Sequence, residues 1–228
     1  WAGLMFALIA FISTIFWWLP GFNFALLSAR NVDQVVWQKQ DWFLPWQNFS
    51  QFISPDFFGN PATGNYFGVW NYGEFVGYIG MVGILFAIIS LSAKLKQSKF
   101  FIWLLIFSSL FALPTVISSL PFVLNIPFIS SFQPSRLIFL IDFSLATLAA
   151  FGVDWFLSGG KSKQIIIATS FLFLALIILW IAAFKFNMAI SIRNLYFPTI
   201  LMAASAAVLF LKNRKLAVMI FLFIAVID

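Results

Sequence analysis

Cysteine and histidine are both absent from this chain. Without cysteine there are no disulfides and no thiolate chemistry, and without either residue the usual zinc sites are excluded. Charge is scarce as well: charged residues make up 9% of the chain, hydrophobic residues make up 63%, and the mean hydropathy is +1.02. Soluble domains are about half apolar and about a quarter charged. The composition therefore excludes an ordinary soluble domain and predicts a membrane protein.

The two ends of the sequence also lack familiar features. There is no initiating Met, no signal-peptide pattern and no polar tail, because Trp1 opens inside one apolar run and Asp228 closes another. We therefore expect residues 1–228 to be a transmembrane domain that is an internal piece of a larger membrane protein. The net charge of +6 lies mostly in three short gaps between apolar segments, so it does not require nucleic acid as a partner.

Apolar runs dominate what is present. A helix needs about twenty residues to cross a bilayer core. Seven segments reach or approach that length, at residues 1–19, 75–93, 100–120, 136–158, 165–184, 195–211 and 216–228. Small residues at packing spacing, namely Ala146, Ala149 or Ala150, and Val153, predict a close-packing face on the fourth segment. The sequence thus predicts an all-α fold, a polytopic transmembrane helix bundle with about seven spans.

The distribution of basic residues predicts an orientation for this bundle. If the seven spans alternate, all three basic gaps fall on one side, and such short basic loops are typically cytoplasmic. These gaps contain Lys94, Lys96 and Lys99, then Lys161 and Lys163, then Lys212, Arg214 and Lys215. We expect a cytoplasmic (plasma) membrane protein whose long loop, residues 20–74, is extracytoplasmic.

That long loop is the most informative part of the chain, because a chain buried in lipid seldom carries so many polar and aromatic residues in one loop without a function for them. Residues 22–32 and 35–43 can form short helices, and we interpret Trp37, Trp42 and Trp46 as interfacial belt residues rather than substrate contacts. Residues 54–61 predict compact turns, with Gly59 and Asn60 able to adopt positive φ. Asp56 could cap such a turn.

Glu74 opens the second predicted span, with Asn71 before it and Tyr78 one helical turn below. A carboxylate at a helix N-terminus is stabilised by the helix dipole, which is one interpretation of Glu74. The other is a carboxylate that faces a cavity and shares hydrogen bonds with Asn71, Tyr72 and Tyr78. Both interpretations stay open on the sequence alone.

Arg136 begins the fourth predicted span at the same surface as Glu74. It could anchor the helix by reaching the lipid headgroups, but its guanidinium fork also suits phosphate, and we favour a binding role. Asp142 lies six residues further along, about 9 Å deeper and about 240° around the helix, so the two should not pair. An acidic side chain at that depth should face the bundle interior or a wet cavity. We expect Glu74, Tyr78, Arg136 and Asp142 to converge on one pocket.

Several stretches together resemble the YfhO family of bacterial multi-pass membrane proteins. The matching stretches are Leu19-Pro20, Leu27-Ser28-Ala29-Arg30, Pro45-Trp46, Ser54–Pro61, Tyr72–Gly80, Pro134-Ser135-Arg136 and two short runs within residues 143–154. The resemblance covers most of the chain. It implies a GT-C-type glycosyltransferase architecture.

The resemblance implies transfer of a sugar from a polyprenyl-phosphate donor to an envelope glycopolymer or lipid acceptor, outside the cytoplasmic membrane. Such enzymes generally use acidic residues of the first extracytoplasmic loop, often with a divalent metal. That loop should precede Trp1, so the resemblance names no catalytic residue, metal ligand or cofactor within this chain. It implies substrate binding by Arg136 and by a loop wall around Asp56, Asn71 and Glu74, with Tyr78 and Asp142 completing our candidate set.

Two other functions fit the same sequence. A lipid-linked saccharide transporter or flippase, or an envelope-assembly protein, could use the same cavity without catalysis. A structural membrane subunit could use the aromatic loop to dock a partner. Carboxylates soon after the preceding span would favour the transferase, whereas inverted repeats or a charged central path would favour transport.

The predicted topology can be tested by labelling, since the chain has no cysteine of its own. Single cysteines replace Asn65, in the long loop, and Ser162, in the second basic gap. An impermeant thiol reagent added to sealed vesicles should label the two from opposite sides. Labelling of both from the same side would contradict the topology.

Overall fold

The structure is a computed structural model, and it describes residues 2–27, 42–126, 129 and 132–228. All regular structure in these residues is helical. The described residues contain ten α-helices: α1 Ala2–Ser13, α2 Ile15–Leu27, α3 Tyr72–Phe75, α4 Met81–Ala93, α5 Lys99–Ala112, α6 Val116–Val123, α7 Ile138–Leu157, α8 Ser162–Lys185, α9 Ala189–Leu209 and α10 Arg214–Ile227. Short 3₁₀ turns occupy Trp46–Phe52, Pro61–Thr63, Lys96–Ser98 and Pro134–Leu137. The all-helical prediction is confirmed for this part of the chain.

Fewer spans are found than the sequence predicts. Three helical stretches are long and apolar enough to cross a membrane: Pro134–Leu157, Ser162–Lys185 and Ala189–Leu209. Two bent helix pairs raise the number to five if each pair counts as one span. The prediction of seven spans is therefore not confirmed within the described residues. What is established is a helical protein with three to five candidate membrane-spanning helices.

The first bent pair is α1 and α2, which meet at 62°. The hydroxyl groups of Ser13 and Thr14 donate to carbonyls one turn earlier, at 2.7 Å and 2.9 Å, a pattern that bends helices. The Trp18 indole donates across the break to the Phe11 carbonyl at 3.1 Å. The predicted boundary at Pro20 is wrong, because Pro20 lies inside α2 and the helix continues to Leu27. Residues 28–41, with most of the predicted second loop helix, lie outside the described residues.

The second bent pair is α4 and α5, which meet at 113° around Lys94 in a left-handed conformation. They have 13 and 14 residues, so each is about 20 Å long, shorter than a bilayer core of about 30 Å. The span predicted at residues 100–120 is interrupted, since α5 ends at Ala112 and the short α6 starts after Thr115. Pro114 lies in the break and has no amide hydrogen to continue a helix.

Helix α7 lies at the centre and packs mainly against α4 and α5. Its buried line is Ser144, Leu148 and Gly152, with Ile141 and Phe156 extending it towards the two ends. The predicted small-residue face is only partly correct, because Ala149 and Val153 are half-buried beside this line while Ala146 and Ala150 are exposed. Glycine at 152 allows the backbones of α4 and α7 to approach closely.

The basic connections lie at one end of these helices. The guanidinium of Arg214, the first residue of α10, donates to the carbonyl of Phe156 and, at 3.0 Å, to that of Gly160. These hydrogen bonds join the start of α10 to the end of α7. The 42–80 segment contacts the opposite ends of the same helices, as described below.

Gly152→Ala should destabilise the fold. A Cβ at this position would lie 2.0 Å from the Phe86 carbonyl oxygen of α4, so the two helices would have to separate. Such overpacking typically costs about 1–3 kcal/mol. The matched control is Gly3→Ala in α1, where a Cβ meets nothing within 4 Å. Thermal unfolding in detergent should show a lower Tm for Gly152→Ala only, and equal melting of the two variants would contradict the packing.

Candidate functional site

Backbone and side-chain hydrogen bonds attach the 42–80 segment to the end of α5, to the 3₁₀ turn before α7 and to the start of α9. On one side, the Leu44 amide donates to the Ala112 carbonyl at 2.8 Å and the Ser135 amide donates to the Trp42 carbonyl at 3.2 Å. On the other side, the segment meets the first turns of α9: Ser191 Oγ donates to the Phe57 carbonyl at 2.6 Å, and Asn194 Nδ2 donates to the Asp56 carbonyl at 2.5 Å. The segment is therefore held at both sides of the bundle end.

Aromatic side chains of the segment complete two hydrophobic clusters. Phe52 and Phe75 pack with residues of α5 and α7, while Phe57 and Phe58 join the larger core of α4, α7, α8, α9 and α10. Trp42 is 6% exposed and packs edge-on against Phe122. The interpretation of Trp42 as a belt residue is therefore wrong. Trp46 is exposed, and Trp37 lies outside the described residues.

The turn in the middle of the 42–80 segment depends on the backbone angles and hydrogen bonds of Gly59 and Asn60. Gly59 has a φ of +83°, as its predicted freedom allows, and a Cβ there would collide with the Asn65 carbonyl. Asn60 is instead extended, with φ −133°, and its side chain accepts a hydrogen bond from the Ala62 amide. Asn60 Nδ2 also donates to Asp56 Oδ1 at 3.0 Å. These bonds fix the orientation of the Asp56 carboxylate.

Asp56 is further held by Tyr72. The Tyr72 hydroxyl donates to Asp56 Oδ1 at 2.6 Å, where it also lies near Asn60 Nδ2. Burial raises the pKa of Tyr72 well above its ordinary value, and the hydrogen bond to Asp56 raises it further. Tyr72 therefore stays a neutral donor. Asp56 is a positioned carboxylate rather than only the cap of a local turn.

Glu74 and Arg136 form an ion pair with a distance of 3.1 Å between Oε1 and Nη2. Gln133 Nε2 and, at 3.5 Å, Ser135 Oγ donate to the other carboxylate oxygen of Glu74. The 3₁₀ turn Pro134–Leu137 projects Arg136, and α3 projects Glu74. Asn71 precedes α3 and its carbonyl accepts from the Glu74 amide at 3.1 Å, so Asn71 sets the position of Glu74 through the backbone.

An apolar cavity of about 350 Å³ opens beside Arg136. Its walls come from α5, α6 and the turn that leads into α7. The lining residues are Phe111, Ser118, Pro121, Phe122, Ile129, Phe132, Gln133, Pro134, Arg136, Leu137 and Phe139. Among them Arg136 is the charged residue, and its side chain is 59% exposed. The cavity is thus a hydrophobic recess with one cation at its edge.

A second cavity, of about 310 Å³, has a mixed lining that is more polar than that of the first, and we call it the polar cavity. It lies between the 42–80 segment, the start of α9 and the end of α10, and it is lined by Ser54, Pro55, Asp56, Tyr78, Arg193, Asn194, Phe197, Pro198 and Asp228. The Tyr78 hydroxyl donates to Asp228 Oδ1 at 2.5 Å, and the Met81 amide donates to Asp228 Oδ2 at 2.5 Å. Asp228 therefore caps the first turn of α4.

Asp142 of α7 lies against the backbone of the 42–80 segment at Gly77. A Cβ on Gly77 would lie 2.9 Å from Asp142 Oδ1, so glycine allows the close contact. Oδ1 is buried and has no hydrogen-bond partner among the described residues. Asp142 thus faces the interior, and it makes no ion pair with Arg136 in this part of the chain.

The expectation of a single pocket is wrong. Glu74 and Arg136 meet as expected, but Arg136 lines the apolar cavity while Tyr78 and Asp56 line the polar one. Sequence reasoning missed Asp228, Arg193 and Asn194 as members of the site. One signal was available for Asp228, an acidic side chain at the end of an apolar run.

Two further observations bear on the function of the chain: its potential metal ligands and its similarity to known proteins. Among the residues that the structure describes, no group of three or more acidic side chains is close enough to hold a metal ion. No protein-family model matches the sequence, and no curated protein or solved structure is significantly similar to it. The class that the fold supports is a helical protein with three to five candidate membrane-spanning helices, in which the described residues form cavities at one end of the bundle.

Proposed function

We propose that this chain is the part of a YfhO-like, GT-C-type membrane glycosyltransferase that binds a polyprenyl-phosphate sugar donor. The sugar would pass to an envelope glycopolymer or lipid on the extracytoplasmic side of the plasma membrane. In this proposal the helix ends that carry the 42–80 segment face outwards, and the basic connections face the cytoplasm, in keeping with the charge rule. The bundle would complete about seven crossings, with α4 and α5 as separate short spans.

The observation that carries the proposal is the apolar cavity with Arg136 at its edge. A polyprenyl phosphate has a hydrocarbon chain and an anionic head, so its site needs an apolar recess beside a fixed cation. The cavity offers aromatic and aliphatic walls, and Arg136 offers a guanidinium fork that suits phosphate oxygens. Both parts of the ligand are therefore matched within one cavity.

Glu74 prepares Arg136 for this role in the proposed complex. The ion pair engages one terminal nitrogen of the guanidinium and orients its plane, which leaves further N–H groups for a phosphate. Gln133 and Ser135 hold the second oxygen of Glu74, so the carboxylate is fixed in turn. This arrangement is expected to limit the reorganisation needed when an anion binds.

The transfer itself would proceed by displacement at the anomeric carbon. The acceptor hydroxyl oxygen forms the new bond, its proton passes to a base, and the bond from the anomeric carbon to the phosphate oxygen breaks. Arg136 would stabilise the charge on the departing phosphate. The base is expected in the segment before Trp1, so the described residues are assigned binding roles only: Arg136 binds the phosphate, and Glu74 holds Arg136 in position.

Arg136→Ala should reduce sugar transfer by at least about tenfold in the full-length protein, because a hydrogen bond to a charged group contributes about 1.5–3 kcal/mol. Arg136→Lys should also weaken transfer although it keeps the charge, since lysine lacks the fork. The measurement is transfer from a polyprenyl-phosphate donor in reconstituted membranes at matched protein levels. Lys185→Ala, which removes an exposed cation from the end of α8, serves as the control and should retain activity.

Wild-type transfer by Arg136→Ala would contradict the proposal and leave the residue as a headgroup anchor. The same reconstituted system addresses the alternative function. If the wild-type protein binds the donor through Arg136 and moves it across the membrane without releasing sugar, the chain belongs to a transporter or flippase instead.

A further inference from the structure

We propose that the polar cavity between the 42–80 segment and α9 is a saccharide-binding site, separate from the cavity beside Arg136. The inference goes beyond the proposed transfer, since it concerns a different set of side chains and requires no catalysis. It is argued from the chemistry of the cavity wall. Its volume of about 310 Å³ lies at the lower end of the range typical of small-molecule sites, about 300–1,000 Å³.

The wall carries both hydrogen-bond donors and acceptors. Among the lining residues, Asp56 and Asp228 carry carboxylates, Arg193 carries a guanidinium and Asn194 carries an amide. Arg193 is exposed and forms no ion pair with either carboxylate among the described residues. Its donors are therefore available to a ligand, although two acidic side chains line the same cavity.

The acceptors are held in position before any ligand binds. Tyr72 and Asn60 both donate to Oδ1 of Asp56, which leaves Oδ2 without a partner in this part of the chain. Asp228 is held by the Tyr78 hydroxyl and the Met81 amide. Groups fixed in this way bind a ligand without a large loss of side-chain entropy.

The two carboxylates and one guanidinium on the cavity wall indicate which class of ligand fits. A lone phosphate would face two carboxylates, and a simple cation would face Arg193, so neither ion suits the whole wall. A polyhydroxyl ligand does suit it, because each hydroxyl both donates and accepts a hydrogen bond. Phe197 is 47% exposed, and together with Pro55 and Pro198 it provides the apolar surface on which a sugar ring can rest.

The cavity also has a rigid frame. Asn194 lines it and at the same time donates to the Asp56 carbonyl at 2.5 Å, while its own carbonyl accepts from Ser54 Oγ at 3.3 Å. The residues from the 42–80 segment and those from α9 are thus tied together next to the proposed ligand. A sugar bound here would contact both elements.

Binding can be tested on the intact protein in nanodiscs by saturation-transfer difference NMR. The probes are methyl glycosides of glucose, galactose, mannose and N-acetylglucosamine, with cyclohexanol as a ring that carries one hydroxyl. At least one glycoside should bind and cyclohexanol should not. Arg193→Gln should weaken that binding by about tenfold, and Asp56→Asn should weaken it as well. Lys185→Gln, a cation outside this cavity at the end of α8, should leave it unchanged.

Three results would overturn the inference. No glycoside binds, or glycoside binding is unaffected by both variants, or an ion binds while the glycosides do not, as inorganic phosphate in an Arg193-dependent way or ethanolamine in an Asp56-dependent way. Arg193 is exposed, so its variant should keep the wild-type melting curve, and this is checked by circular dichroism. The proposed transfer is judged separately. Glycoside binding without transfer supports this inference alone, and transfer without Arg193-dependent binding contradicts it alone.

Discussion

The architecture of the candidate site depends on the hydrogen-bond partners that the backbone groups of the 42–80 segment find. An irregular segment over a membrane-embedded bundle brings many polar backbone groups with it, and each needs a partner. Here the carbonyls of Asp56 and Phe57 receive hydrogen bonds from Asn194 and Ser191 of α9. Phe57 and Phe58 can then be buried among the helices on the same side. The hydrogen bonds to the backbone of the segment and the burial of its phenylalanine side chains therefore stabilise the same arrangement.

This anchoring places two chemically different cavities at the same end of the bundle. Arg136, beside the apolar recess, is balanced by Glu74 of the segment, whereas Arg193, in the polar cavity, makes no ion pair among the described residues. A hydrophobic recess with a cation suits a lipid phosphate, and a mixed polar wall suits a saccharide. Lipid-linked sugar chemistry needs both kinds of recognition, which is why the two proposals are compatible although each stands on its own contacts.

Much of the fold follows from local sequence pattern, and much of the site does not. The apolar runs of α7, α8 and α9 predict their helices, and the shared depth of Glu74 and Arg136 predicts their encounter. The boundary predicted at Pro20 is wrong because a proline can lie inside a helix when the chain bends nearby, here at Thr14. The interfacial position predicted for Trp42 is wrong because aromatic composition does not distinguish a buried side chain from one at a membrane interface. The contact of Tyr78 with Asp228 joins residues 150 positions apart, a pairing that no local pattern encodes.

The most direct test of the account is a cryo-EM structure of the full-length protein with a polyprenyl phosphate bound in nanodiscs. The account predicts phosphate density within hydrogen-bonding distance of the Arg136 guanidinium, with isoprenoid density in the apolar cavity formed by α5, α6 and the start of α7. Phosphate density elsewhere, for example beside Arg193, or an apolar cavity without isoprenoid density while the lipid is bound at another site, would contradict it.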